Sequence, residues 1–139
     1  MTGVKGHPVS RLQRLAWGAA ALAGVVGAYA ASWLVASARS YCDAGWEPPH
    51  RFAHGFEWVV LTVAAAALAV GAAVLARWAT VRGPRSVRAS AQVGVVLLVV
   101  AALAWWYLGA QATPDGYPGD SGLCPANNVP PWWPGWFPS

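Results

Sequence analysis

Residues 15–38 read LAWGAAALAGVVGAYAASWLVASA, twenty-four positions without one charged side chain. A helix crosses the hydrocarbon core of a bilayer with about 20 apolar residues. Two further stretches repeat the pattern. Residues 56–76, FEWVVLTVAAAALAVGAAVLA, carry a single charge, Glu57, at their edge, and residues 89–110, ASAQVGVVLLVVAALAWWYLGA, carry none. Charged residues form 10% of the 139-residue chain, against about 25% in a soluble domain. The apolar residues fall in long blocks and not in the periodic positions of a soluble core. The expected fold is therefore an all-α membrane protein with three transmembrane helices and a non-helical C-terminal tail. Trp17, Trp33, Trp58, Trp78, Trp105, Trp106 and Tyr107 stand near the block ends. There an apolar ring bearing a polar N–H or O–H suits the headgroup layer.

The placement of charge sets a direction. Lys5, Arg11 and Arg14 precede the first block, and Arg77, Arg82, Arg85 and Arg88 lie between the second and third. The loop between the first and second blocks has Arg39 and Arg51, and the tail has Asp115 and Asp120 but no Lys or Arg. By the positive-inside rule, segments 1–14 and 77–88 are expected in the cytoplasm, and segments 39–55 and 111–139 outside it. The net charge of +4 raises nucleic acid as a partner. The basic residues flank spans, however, with no recognition helix or aromatic-basic interleaving, so the bilayer is the expected partner and nucleic acid is not. Basic residues are nearly all Arg, in a chain rich in Ala, Gly and Trp. That composition suggests a bacterial cell membrane. One rival concerns the first block. A basic start followed by Ala36, Ser37 and Ala38 outlines a signal peptide, although the apolar stretch exceeds the usual h-region of about 7–15 residues.

In lipid, helices associate through close backbone approach and dispersion, so small residues mark contact faces. Ala20, Gly24, Ala28 and Ser32 recur every fourth position and predict one such ridge. In the second span, Ala67 with Gly71, and Ala64, Leu68 and Ala72, are the corresponding candidates. Gly83 and Pro84 end any helix and make the second and third spans an antiparallel hairpin. Three helices enclose little interior, and no repeat with broken helices marks a transport site.

Cys42 and Cys124 fall on the same predicted outer side. An even count in an oxidising compartment predicts one disulfide between them, closing a loop of about eighty residues. The absence of a C-x-x-C pair argues against redox catalysis.

The densest polar stretch is YCDAGWEPPHRFAHGFEW, residues 41–58. A helix starting after Pro48 and Pro49 would place His50, His54 and Glu57 on one face. Two His at i and i+4 with a carboxylate are a partial ligand set for zinc, copper or iron, which Asp43 or Glu47 could complete. The same residues also read as interfacial histidines with a Glu near a helix start, where the dipole favours it, or with Glu57 paired to Arg51 or Arg39. No nucleophile–base constellation or phosphate loop is present, so no catalytic residue and no cofactor is expected.

Seven of the eleven prolines follow Ala110, which excludes helix from most of the tail. Turns are expected at Pro114-Asp115-Gly116 and Pro118-Gly119-Asp120, and an extended polyproline segment at Pro130 and Pro131. Trp132, Trp133, Trp136 and Phe137 have three candidate roles. They anchor in the headgroups, pack on the loop around Trp46, Pro48 and Pro49, or dock a partner. The leading functional expectation is a structural or accessory membrane protein, a subunit among other membrane proteins or copies of itself. The alternative is a metal- or cofactor-handling protein using His50, His54 and Glu57.

Overall fold

The computed structural model describes residues 10–111 and 119–138. Three helices make the fold: α1, Arg11–Cys42; α2, Pro48–Ala79; and α3, Arg85–Gln111. All three are long and apolar enough to cross a membrane, and no strand occurs among the described residues. At 1.5 Å per residue they are about 48, 48 and 40 Å long, each longer than the roughly 30 Å hydrocarbon core.

Local chemistry explains the ends. Ser10 caps α1, its Oγ accepting from the Gln13 N–H at 3.3 Å. Asp43, at φ 52°, stops α1 in the left-handed conformation, which Asp tolerates better than most residues. Pro48 opens α2 at the first turn, where its missing N–H costs nothing. Between α2 and α3, Gly83 N–H donates to the Thr80 carbonyl at 2.9 Å. The Arg88 guanidinium then ties the turn to α3, donating to the Val81 and Gly83 carbonyls at 2.8 and 3.1 Å.

Each helix packs on the other two. Ala20, Gly24, Ala28 and Ser32 are all buried, as the four-residue spacing predicts. A Cβ on Gly24 would lie 2.5 Å from the Ala65 carbonyl oxygen and 2.9 Å from the Ala66 Cα. Here α1 and α2 touch backbone to backbone, which only glycine permits. Gly27 faces α3, and a Cβ there would overlap the Val100 side chain. On α2 the buried residues are Ala65, Ala69, Ala72, Ala73 and Ala76. Ala64, Ala67, Leu68 and Gly71 are exposed, so the expected α2 ridge is wrong except for Ala72. Where nearly every residue is small, spacing alone does not define a face, and the contact at Gly24 selects the one used.

Two buried clusters follow. Near the Arg-rich end lie Ala20, Ala69, Ala73 and Val96. At the other end, Ala31, Val35, Ala38, Tyr107 and Leu108 gather around Trp133 of the tail. Between them, where Gly24, Ala28, Leu61, Ala65, Val100 and Tyr107 meet, the free space is about 10 Å³, at the lower limit for one water. That space is no pore.

The aromatic rings fall at matched levels. Tyr29 on α1 meets Trp58 on α2 edge to face, with centroids 6.4 Å apart. Trp33 is one turn along α1 from Tyr29, and both are more than half exposed. Trp17 and Trp33 are sixteen residues apart on α1, about 24 Å, and Trp58 and Trp78 are twenty apart on α2, about 30 Å. The α2 spacing matches the roughly 30 Å hydrocarbon thickness between two headgroup layers, and the α1 spacing is about 6 Å shorter. The last nine residues of α1 after Trp33 extend about 13 Å beyond the upper level.

Candidate functional site

The projecting ends of the helices carry a cap made by the tail, and the cap is built from the disulfide outward. Cys42 is fully buried at the end of α1. It is bonded to Cys124, 82 residues on, with Cα atoms 5.4 Å apart. Gly119 packs against the Cys42 carbonyl so closely that a Cβ would overlap it. Its N–H donates to Asn128 Oδ1 at 2.8 Å. Asn128 is buried, and its carbonyl oxygen lies 3.3 Å from the Cys42 sulfur. Asn128 itself has φ 55°, a conformation to which Asn is well suited.

Beyond it the chain runs through turns led by proline. Asn128 N–H donates to the Pro125 carbonyl, Trp133 N–H to Pro130, and Phe137 N–H to Pro134, each at 2.9 Å. Pro130 and Pro131 are therefore in a turn and not in the extended polyproline segment expected from sequence. Pro131 occupies the second turn position, where its fixed φ is favourable. The expected turn at Pro114-Asp115-Gly116 lies outside the described residues, as does Pro118.

This succession of turns gives the four tail rings different tasks. Trp133 is 6% exposed and enters the bundle end between α1 and α3. Phe137 covers it edge to face at 5.5 Å. Trp132 stands against Tyr41 of α1 at 6.1 Å. Trp136 stacks on Trp105 of α3 at 6.4 Å, the ring planes 21° apart. The rings thus pack on α1 and α3. Trp46 pairs instead with Arg51, whose Cζ is 5.7 Å from its ring centre, and with His54 at 5.5 Å. Trp132 and Trp136 remain 43% and 69% exposed, and with exposed Trp105 and Trp106 they leave an aromatic surface on a fixed frame.

A second fastening joins α1 to α3. Arg39 donates to the Gln111 carbonyl through Nε at 2.9 Å and Nη2 at 2.6 Å, and to Gln111 Oε1 at 3.0 Å. These bonds satisfy a carbonyl that the end of α3 would otherwise leave open. Arg39, one of the two expected partners of Glu57, is thus bonded to Gln111. Arg51 likewise turns to the Trp46 carbonyl at 2.7 Å.

His50, His54 and Glu57 share α2 as their spacing requires, but with different surroundings. His50 and Glu57 are exposed. His54 is half-buried, and its Nε2 is 3.1 Å from Ser32 Oγ on α1. Among the described residues, no three His, Cys, Asp or Glu side chains gather into a set that could hold a metal ion. Ser32 and His54 instead line a groove of about 300 Å³ between α1 and α2, walled by Tyr29, Trp33 and Trp58. No protein-family model, curated protein or solved structure matches this chain.

Proposed function

We propose that this chain is a non-enzymatic integral membrane protein of a bacterial cell membrane, a structural or accessory subunit of a larger membrane complex. The N-terminus and the Arg-rich turn face the cytoplasm and the stapled cap faces outward. The observation that carries this reading is the exposure of Trp132 and Trp136 on a cap fixed by Trp133 and the disulfide. Tryptophan is enriched at binding hot spots, and a preorganised surface loses little freedom on docking. Two independent features support the orientation: the arginines gather at one end, and a disulfide suits an oxidising compartment at the other. Retention of α1 is supported by its buried face, from Ala20 to Cys42. Removal after Ala38 would strip both other helices of their partner.

Capture of the full chain in mild detergent, followed by mass spectrometry, tests the reading. Wild type is expected to bring down a defined membrane protein. Trp132→Ala with Trp136→Ala should reduce that recovery at least tenfold. Recovery of wild type alone, as a monomer, sinks the proposal. Intact mass distinguishes retained from cleaved α1. After reduction, an impermeant thiol reagent on whole cells should label Cys42 and Cys124, whereas labelling only after lysis reverses the orientation.

The groove at His54 favours a second reading, in which a planar cofactor sits among Tyr29, Trp33 and Trp58 over the imidazole. Purified protein would then carry stoichiometric metal or chromophore, lost in His54→Ala. Its absence from freshly purified wild type ends that reading.

A further inference from the structure

The geometry points to a bound anionic phospholipid at the Arg-rich end, with one acyl chain in the groove between α1 and α3 and its phosphate beside Arg85. The groove measures about 300 Å³. Ala16, Ala19 and Ala23 form one wall, Ala89 and Val93 the other, and Ala73 of α2 lies between them. Gln92 also borders it, but its Nε2 donates to the Ala73 carbonyl at 3.1 Å, so the amide donor is already engaged. Small side chains on both walls leave a cleft that the helices do not fill themselves. Apolar walls give water no hydrogen-bond partners, which leaves an alkyl chain as the fitting occupant. From Ala16 to Ala23 the groove runs about 10 Å along α1, most of one leaflet's roughly 15 Å share of the hydrocarbon core.

Charge selects the headgroup. Arg11, Arg14, Arg77, Arg82, Arg85 and Arg88 lie at this end of the bundle. The five acids of the chain, Asp43, Glu47, Glu57, Asp115 and Asp120, lie elsewhere in the sequence. Arg85 is the first residue of α3 and exposed. It stands one turn before Ala89, on the face that walls the groove. Arg88 adds its charge while holding the turn through Val81 and Gly83. A zwitterionic headgroup brings its own ammonium into this field. An anionic one gains about fivefold in affinity per nearby arginine, the ratio corresponding to ~1 kcal/mol.

Native mass spectrometry of the full chain in nonionic detergent tests the site. It would be titrated with phosphatidylglycerol and with phosphatidylcholine of identical chains. Phosphatidylglycerol is expected to bind at least tenfold more tightly. Arg85→Gln should weaken it about fivefold and weaken phosphatidylcholine, whose ammonium offsets its phosphate, by less than that. Ala19→Leu with Ala89→Leu fills the groove and should abolish the first tight site for either lipid, with helicity and melting temperature unchanged. Equal affinity for the two lipids overturns the proposal, as does a groove-filled variant that binds phosphatidylglycerol normally. Displacement by millimolar glycerol phosphate would show a free-anion site without a chain. Loss of a co-purifying protein instead of lipid would make a partner helix the occupant. Either result also overturns it.

Discussion

Trp133→Ala isolates what holds the cap. The side chain is 6% exposed among Ala31, Val35, Ala38, Tyr107 and Leu108. Burial of 150–250 Å² of aromatic surface at about 25 cal/mol per Å² gives roughly 4–6 kcal/mol, an upper value because a free tail is not fully extended in water. Against this, the indole Nε1 is buried without a hydrogen-bond partner, which costs about 1–3 kcal/mol. The net loss on truncation is therefore about 3 kcal/mol, at the low end of core Trp→Ala changes. Cys124 stays fastened, so the loss appears as local opening beyond it and not as unfolding of the helices. Hydrogen exchange is the direct assay. The amides of Trp133 and Phe137, bonded to Pro130 and Pro134, should exchange roughly 100-fold faster. Trp133→Phe keeps most of the ring contact and removes the orphan N–H, so its change should stay within about fivefold, or ~1 kcal/mol. Exchange that is unchanged in Trp133→Ala, or equally fast in Trp133→Phe, refutes the plug.

Gly24→Ala drives a Cβ into the Ala65 backbone and should destabilise the bundle by about 1–3 kcal/mol in detergent unfolding. Gly71→Ala, with no atom within 4 Å, should stabilise it by about 0.5–1 kcal/mol. Cys42→Ser with Cys124→Ser releases an 82-residue separation, worth at most about 4.5 kcal/mol. Helix content by circular dichroism should persist while exchange in residues 119–138 rises sharply. Arg39→Ala removes three charge-assisted donations to Gln111 and should loosen the last turn of α3 by about 1.5–3 kcal/mol, read as faster exchange there alone.

What the sequence made legible depended on how distinctive each residue was among its neighbours. The α1 ridge was readable because Gly24 and Ser32 sit at the same spacing as Ala20 and Ala28 between larger residues such as Leu22, Val26 and Trp33. The α2 face was not, because residues 64–67 are all alanine and several phases look equally small. The cysteine pair followed from count and compartment. α2 starts at Pro48 itself, two residues before the start expected near His50, and the destination of His54 depended on Ser32 arriving from another helix. The separate tasks of Trp132, Trp133 and Trp136 depended on the turn phase set by Pro130 and Pro134, which one-dimensional composition does not carry.

The arrangement also explains why this chain needs a tail of such composition. Gly24 and Gly27 draw α1 against α2 and α3 near mid-bundle. Towards the cap the contacts pass to Leu34, Leu61, Tyr107 and Leu108, whose bulk cannot seat the helices so closely. The opening between α1 and α3, bordered by Ala31, Val35, Ala38, Tyr107 and Leu108, must then be filled. Trp133 fills it from within the chain. At the opposite end the same pair of helices leaves the alanine-walled groove, the place of the proposed acyl chain. The bundle thus has two openings between the same pair of helices, and the tail fills one of them. A cap whose plug comes from its own chain holds its outer rings in place without help from lipid. Ring contacts run from Trp132 to the buried Trp133, from Trp133 to Phe137 and from Phe137 to Trp136, so the exposed rings are held by the buried one.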